Sequence, residues 1–193
     1  AVFDKCADLS TITIPNSVTR IDGYTFYLCT SLTMVVLPAH MKVIEGSLFL
    51  SCTNLHTVVV PEGLTAIRYA AFASCTSLTT INIPNSVTSI GIYAFELSSS
   101  LSVVTISDSV TSITKGAFRG CSSLSTITIP NSVTSIGENA FNSCSSLFTI
   151  VIPNGVLSIG ASAFHSCINL TSVDIPATVT SIGQNAFKNC GCS

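Results

Sequence analysis

One residue type recurs along this chain at a fixed interval of 23 residues, and this interval limits the possible folds more than any other feature. The series has nine members and no insertion: Phe3, Phe26, Phe49, Phe72, Phe95, Phe118, Phe141, Phe164 and Phe187. A repeat of about 20 to 50 residues is typical of chains that stack like units side by side. The sequence therefore predicts a solenoid, in which each unit covers the hydrophobic side chains of its neighbours.

The other apolar positions keep the same interval. A cysteine stands three residues after each phenylalanine, except where Ser98 replaces it, and a leucine stands six residues after the first eight. Branched aliphatic residues follow at nine and eleven residues, and proline comes next in seven repeats of eight. Because one unit is too small to bury these side chains alone, we expect each column to pack against its own copies.

Within one unit, the alternation over residues 124–129 predicts a strand with one face inward, and Pro130 ends it because proline cannot donate to a ladder. Residues 133–136 form a second extended stretch, and residues 138–144 predict one short helical or 3₁₀ turn on the back. Neighbouring repeats pair in parallel. We expect one solenoid domain over residues 1–193, with about eight repeats.

These columns resemble the repeat unit of the BspA-like leucine-rich repeat family over essentially the whole chain. The matching unit reads Leu124-x-x-Ile127-x-Ile129-Pro130-x-x-Val133-x-x-Ile136-Gly137-x-x-Ala140-Phe141-x-x-Cys144. The resemblance implies a leucine-rich-repeat solenoid with a parallel β-sheet on one face and short extended segments and short helical or 3₁₀ turns on the other. It also implies an adhesion or host-interaction protein at the cell surface or outside the cell, without catalysis.

Composition excludes two classes of partner. Only 8% of the residues are charged and the formal net charge is −2, so clusters of Lys and Arg for nucleic acid or an anionic membrane are lacking. The apolar runs are a handful of residues long, too short to insert in a membrane. The 30 serines and 23 threonines indicate that hydroxyl groups cover the surface instead.

Neither the cysteines nor the histidines predict catalysis or metal binding. In a straight column the cysteine side chains run parallel, so we expect buried, reduced thiols and no zinc site. Cys190 and Cys192 are the exception, because fraying at the end would allow a bridge or a contact with another chain. The three histidines occupy different repeat positions and cannot converge. We expect no enzyme, no cofactor and no metal.

Binding is expected on the outward positions of the strands, where most residues are Thr or Val. One interpretation is that Thr simply suits exposed strands. The other is a face that binds a protein, such as a host or matrix surface protein, or a glycan, through its unusual apolar and aromatic members. The second and third repeats also depart most from the consensus. The predicted partner-binding residues are Tyr24, Tyr27, Met34, Val36, His56, Val59, Phe148 and Val151.

Two further hypotheses compete with adhesion. The repeat pattern starts and stops without distinct cap sequences, so the chain either self-assembles end to end as a structural solenoid or is cut from a longer array. The third hypothesis is ice binding, motivated by Thr-x-Thr at Thr11–Thr13 and Thr126–Thr128. Interruptions such as Val36 and Asp174 weaken it.

Overall fold

Every turn of the chain runs through two extended stretches, which lie beside the same stretches of its neighbours. The computed structural model describes residues 2–191. We name each coil by its phenylalanine, so that the Phe26 coil runs from Phe26 to the residue before Phe49. The strands are β1 Met34–Val36, β2 Val43–Ile44, β3 Thr57–Val59, β4 Ala66–Ile67, β5 Thr80–Asn82, β6 Ser89–Ile90, β7 Val103–Thr105, β8 Ser112–Ile113, β9 Ser135–Ile136, β10 Ser158–Ile159 and β11 Ser181–Ile182.

All pairings are parallel and join residues 23 positions apart, such as Met34 with Thr57 and Ile44 with Ile67. The front strands pair as β1–β3 and β5–β7, and single bridges extend them at Thr11–Met34 and Thr105–Thr128. A separate bridge joins Val151 to Asp174. The second extended stretches pair as β2–β4–β6 and as β8–β9–β10–β11. The predicted parallel solenoid is thereby confirmed.

The phenylalanines form one file through the centre of the molecule. Adjacent rings are stacked with centroids 5.2 to 5.5 Å apart and planes within 11° of parallel, from Phe3 to Phe187. The leucine, isoleucine and valine columns surround this file, and most of their members are completely buried. Because each side chain is covered by its own copies, burial is lost mainly in the first and last coils, as at Leu9 and Ile175.

The back segment differs from the predicted helical or 3₁₀ turn. It is a run of tight turns, and no residue between 2 and 191 is helical. From Phe26 to Phe187, the residues two before and two after each stacked phenylalanine have positive φ, for example Ser47 (φ 55) and Ser51 (φ 61) around Phe49. Such residues cannot continue a right-handed helix. The described part of the chain accordingly holds no helix that could cross a membrane.

Hydrogen bonds between coils explain this conformation. The N–H groups of Ser47, Phe49 and Ser51 donate to carbonyl oxygens of the next coil at 2.8, 2.9 and 2.8 Å. The same three bonds recur through the stack, for example from Phe118 to Ala140. Positive φ at alternate positions turns the donors towards the neighbouring coil, where a helix would turn them along its own axis.

Candidate functional site

The front face consists of the outward side chains of the front strands. In β1, β3, β5 and β7 the central residue is buried and the two flanking residues are exposed. Period-two alternation therefore presents two residues per coil to solvent. They are Thr11, Met34, Thr57, Thr80, Val103, Thr126, Thr149 and Ser172 in one row, and Thr13, Val36, Val59, Asn82, Thr105, Thr128, Val151 and Asp174 in the other. Asp174 is the single charged residue among them.

Three predicted residues form one patch on this face, which we call the front aliphatic patch: Met34, Val36 and Val59. Their exposed fractions are 43%, 50% and 45%. Val36 and Val59 are register partners in β1 and β3, so their side chains are neighbours. His56 is exposed one residue before β3, where its Nδ1 atom lies 3.1 Å from the carbonyl oxygen of Asn54. The structure thus brings four of the eight predicted residues to adjacent coils of one surface.

Phe148 and Val151 project from the Phe141 coil, near the other end of the front face. Phe148 is 62% exposed and Val151 is 76% exposed, among the largest values for apolar side chains in the described part of the chain. No ladder pairs residues 126–128 with residues 149–151 within the described chain. A shallow depression lies along this gap, lined by Asp108, Thr126, Thr128, Pro130, Asn131, Thr149, Val151 and Pro153. The sequence does not reveal the gap.

Tyr24 and Tyr27 lie apart from the other predicted residues. They flank Phe26 in the back turns, where their rings meet edge to face with centroids 6.0 Å apart. Tyr24 is 51% exposed, whereas Tyr27 is half-buried. Their closeness to Met34 in sequence does not make them neighbours on the surface, because the chain passes from the back of the coil to its front between them.

The predicted set omits exposed apolar residues on both surfaces. Val103 occupies an outward front position and is 54% exposed. The alternation of the strand in the sequence already indicates this exposure. On the back, Tyr69, Ile92 and Leu97 are exposed, and the ring of Tyr69 meets that of Tyr93 at 6.0 Å. Their departure from the repeat consensus already marks Tyr69, Tyr93 and Leu97 in the sequence as secondary candidates, outside the predicted partner-binding set.

The ion pairs avoid the front face. Glu45 lies between Arg20 and Arg68, with contacts of 3.8 and 3.4 Å, and Arg119 contacts Glu96 at 2.6 Å. Lys115 donates a hydrogen bond of 2.9 Å to Glu138, and this bond raises the pKa of Lys115. All these residues precede or immediately follow a phenylalanine on the back. The molecule is therefore divided into a charged back and an almost uncharged front.

The cysteine column is built into the core. From Cys29 to Cys190, each thiol of the column donates to the carbonyl oxygen of the phenylalanine 26 residues earlier, as Cys75 does to Phe49 at 3.2 Å and Cys121 to Phe95 at 3.1 Å. Burial raises the pKa of Cys29 to about 11 and that of Cys52 to about 12, and it raises the pKa values of Cys75, Cys121 and Cys144 as well.

These thiols are poor nucleophiles, since the thiolate is the reactive species. The expectation of buried thiols is confirmed for the inner coils, where Cys29, Cys52, Cys75, Cys121 and Cys144 are unbridged. Cys6 in the first coil is exposed. The bridge or contact with another chain that fraying would allow at Cys190 and Cys192 involves a residue outside the described range. Among residues 2–191, no group of three or more His, Cys, Asp or Glu side chains could hold a metal ion.

This architecture, a parallel β-solenoid with a short front strand or a single front bridge in each coil, defines a leucine-rich repeat protein. The model for the BspA type leucine rich repeat region matches residues 1–102 and 65–193 in six copies. The chain belongs to this family, as the residue columns predicted. No curated protein matches the chain.

Solved structures of bacterial leucine-rich repeat proteins share the fold. A leucine rich repeat protein of T. pallidum is 33% identical with a TM-score of 0.75, over 80% of this chain and 72% of that one. A leucine rich cell surface protein from Faecalibacterium prausnitzii is 29% identical with a TM-score of 0.55, over 97% of this chain and 65% of that one. The pneumococcal vaccine antigen PcpA is 19% identical with a TM-score of 0.54, over 79% of this chain and 47% of that one, which is a likeness of fold alone.

Proposed function

We propose that this chain is a non-enzymatic protein-binding or adhesion scaffold, and that it binds its partner through the front face. The observation that carries the proposal is the set of exposed apolar side chains on a face that is otherwise covered by hydroxyl groups. A few side chains supply most of the binding energy in protein interfaces, whereas the contacts around them are nearly neutral in energy. The front aliphatic patch, together with Phe148 and Val151, provides such anchors at two places along the sheet.

The stacked core supports this assignment because it holds the front strands rigidly. Burial of the central strand residue, such as Val35 in β1, fixes the direction of its exposed neighbours Met34 and Val36. Anchors that are already ordered lose little conformational entropy when a partner binds. His56, which is exposed one residue before β3, is placed in the same proposed contact.

We further propose that the protein acts at the cell surface or outside the cell. The family match supports this location, together with the similar chain described as a cell surface protein. This chain corresponds to 65% of that cell surface protein, so the activity of that whole protein is not assigned to it.

The test is a binding assay on immobilised chain against purified extracellular matrix proteins and host surface proteins. The variants V36D/V59D and F148D/V151D place carboxylates at the two anchor sites without touching the core. The matched control is Leu157→Asp, because Leu157 lies in the Phe141 coil, is 51% exposed, and is off the front face. We expect at least one of the two variants to weaken binding by about tenfold or more while the control binds like the parent chain.

Three outcomes would contradict the proposal: equal binding by all variants, equal loss in the control, or no binding by the parent chain to any protein of the panel. Tyr24 and Tyr27 are tested separately by Tyr27→Ala, because they belong to the back surface. A loss of binding confined to this variant would place the partner contact on the back turns instead of the front face. A parallel glycan array identifies a carbohydrate partner through the same variants.

Two alternatives stay hypotheses with less support. Self-assembly of solenoids requires contacts between copies, which light scattering on the chain detects directly. An ice-binding array requires hydroxyl groups at regular spacing, and Val36, Val59, Val103 and Val151 interrupt the threonine rows. A lack of thermal hysteresis would dismiss that hypothesis.

A further inference from the structure

The tight turn after the front strand carries an asparagine in several coils. These residues are Asn16, Asn85, Asn131 and Asn154, and each is exposed. Serine follows the first three, whereas Gly155 follows Asn154. The same backbone hydrogen bond closes the turn with either residue: Val133 donates to Pro130 at 3.0 Å, and Val156 donates to Pro153 at 3.0 Å. Residue 155 is therefore the main chemical difference at this turn.

The serine side chains tie their turns to the preceding coil. Ser86 Oγ donates to the carbonyl oxygen of Glu62 at 2.7 Å, and Ser132 Oγ donates to that of Val110 at 2.6 Å. Gly155 has no hydroxyl and forms no such bond. It also lacks the β carbon that makes backbone rotation unfavourable for other residues. The Asn154–Gly155 turn is thus less restrained than the Asn85 and Asn131 turns.

We infer that Asn154 is a site of spontaneous deamidation and backbone isomerisation. The backbone nitrogen of Gly155, after losing its proton to solvent base, attacks Cγ of Asn154. A bond forms between that nitrogen and Cγ, the bond from Cγ to the side-chain nitrogen breaks, and ammonia leaves. Water then opens the resulting succinimide ring at one of its two carbonyl carbons, which gives aspartate or isoaspartate. No oxidant or reductant takes part.

The modification changes the edge of the depression on the front face. Pro153, the residue before Asn154, lines that depression. Each event adds one negative charge to a chain whose formal net charge is −2, and it does so beside a nearly uncharged face. Isoaspartate also lengthens the backbone of the turn by one methylene group. The chemistry does not depend on the proposed binding function.

The experiment incubates the native chain at mildly alkaline pH and measures the mass gain of about 1 Da in peptides that contain each asparagine, with aspartate and isoaspartate separated chromatographically. Asn85 and Asn131 are internal controls in the same turn geometry. We expect Asn154 to react on the order of tenfold faster than either, because only its following residue lacks a β carbon. An equal or lower rate at Asn154 would overturn the inference.

Two variants keep the test decisive. Gly155→Ser restores the repeat consensus and is expected to slow the reaction at residue 154 to the rate of Asn131. A β carbon on Gly155 would lie 2.7 Å from the carbonyl oxygen of Asn131, so this variant requires a shift of the turn. Asn154→Gln leaves the backbone unchanged and lengthens the side chain, which disfavours the five-membered ring. The site-specific mass gain must disappear in it, and persistence of the gain would contradict the inference.

Discussion

The thiol of Cys52 donates a hydrogen bond of 2.9 Å to the carbonyl oxygen of Phe26, and both residues are buried. This relationship joins two columns, since the cysteine of one coil holds the phenylalanine backbone of the coil before it. It explains why a small side chain with a donor occupies this position. It also makes the stability of the stack depend on the protonation of its thiols.

Alkaline pH is expected to destabilise the protein through these thiols. Burial raises the pKa of Cys29 to about 11 and that of Cys52 to about 12. Above about pH 9 the unfolded chain loses thiol protons that the folded chain retains, so the free energy of unfolding falls as pH rises. Each such thiol contributes a slope of about 1.4 kcal/mol per pH unit until its folded pKa is reached.

Urea unfolding between pH 8 and pH 10.5 measures this loss. The control is the variant C75S/C121S, in which two deeply buried thiols are replaced by hydroxyls that do not titrate. The two proteins share every other ionisable side chain, so only the two thiols can make their pH dependence differ. A decline as steep in the variant as in the parent chain would show that the thiols are not responsible.

Ser98 occupies the cysteine position in the Phe95 coil, so its variants test which side-chain size and hydrogen-bonding group this position requires. Its hydroxyl donates to the carbonyl oxygen of Phe72 at 2.7 Å and is completely buried. Ser98→Cys introduces the group that the other coils use, and we expect a change of no more than about 0.5 kcal/mol in unfolding free energy. Ser98→Ala removes the donor and should cost about 1 kcal/mol. Thermal and urea unfolding compare the two, and a larger loss for Ser98→Cys than for Ser98→Ala would refute this account of the column.

Gly116 is expected to resist substitution for two separable reasons. It has φ +60, and a β carbon there would collide with the ring of Tyr93 in the preceding coil. We expect Gly116→Ala to cost about 1 to 2 kcal/mol from the backbone conformation alone, with the collision in addition.

A double-mutant cycle with Tyr93→Ala separates these terms, because removing the ring relieves the collision and leaves the backbone cost. The expected interaction energy is on the order of 1 kcal/mol in urea unfolding. Strictly additive losses would mean that the ring does not pack on Gly116.

The front of the molecule could be predicted from the sequence, whereas the back could not. The alternation in Met34–Val36 depends only on strand geometry, and it places Val35 inward as expected. In the back turns, ordinary residues such as Ala70 and Leu97 adopt positive φ. Glycine marks these positions only at Gly116 and Gly120, so helix-forming composition elsewhere suggested a helical turn.

The candidate site shows the same division. Val36 and Val59 are neighbours because the 23-residue interval sets the register, and this could be deduced from spacing alone. Tyr27 lies only seven residues before Met34, yet a change from back to front separates them. Residues 126–128 and 149–151 keep the repeat columns of the paired strands, so the sequence spacing does not indicate the missing ladder between them.

Site-resolved alkylation of the cysteines tests most directly the claim that like side chains stack coil upon coil in a closed core. The native chain is treated with iodoacetamide at pH 8, and each site is then measured by mass spectrometry with and without urea. The stacked core predicts rapid labelling of exposed Cys6, with Cys52, Cys75, Cys121 and Cys144 protected until the chain unfolds. Rapid labelling of Cys75 and Cys121 in the native chain would contradict it.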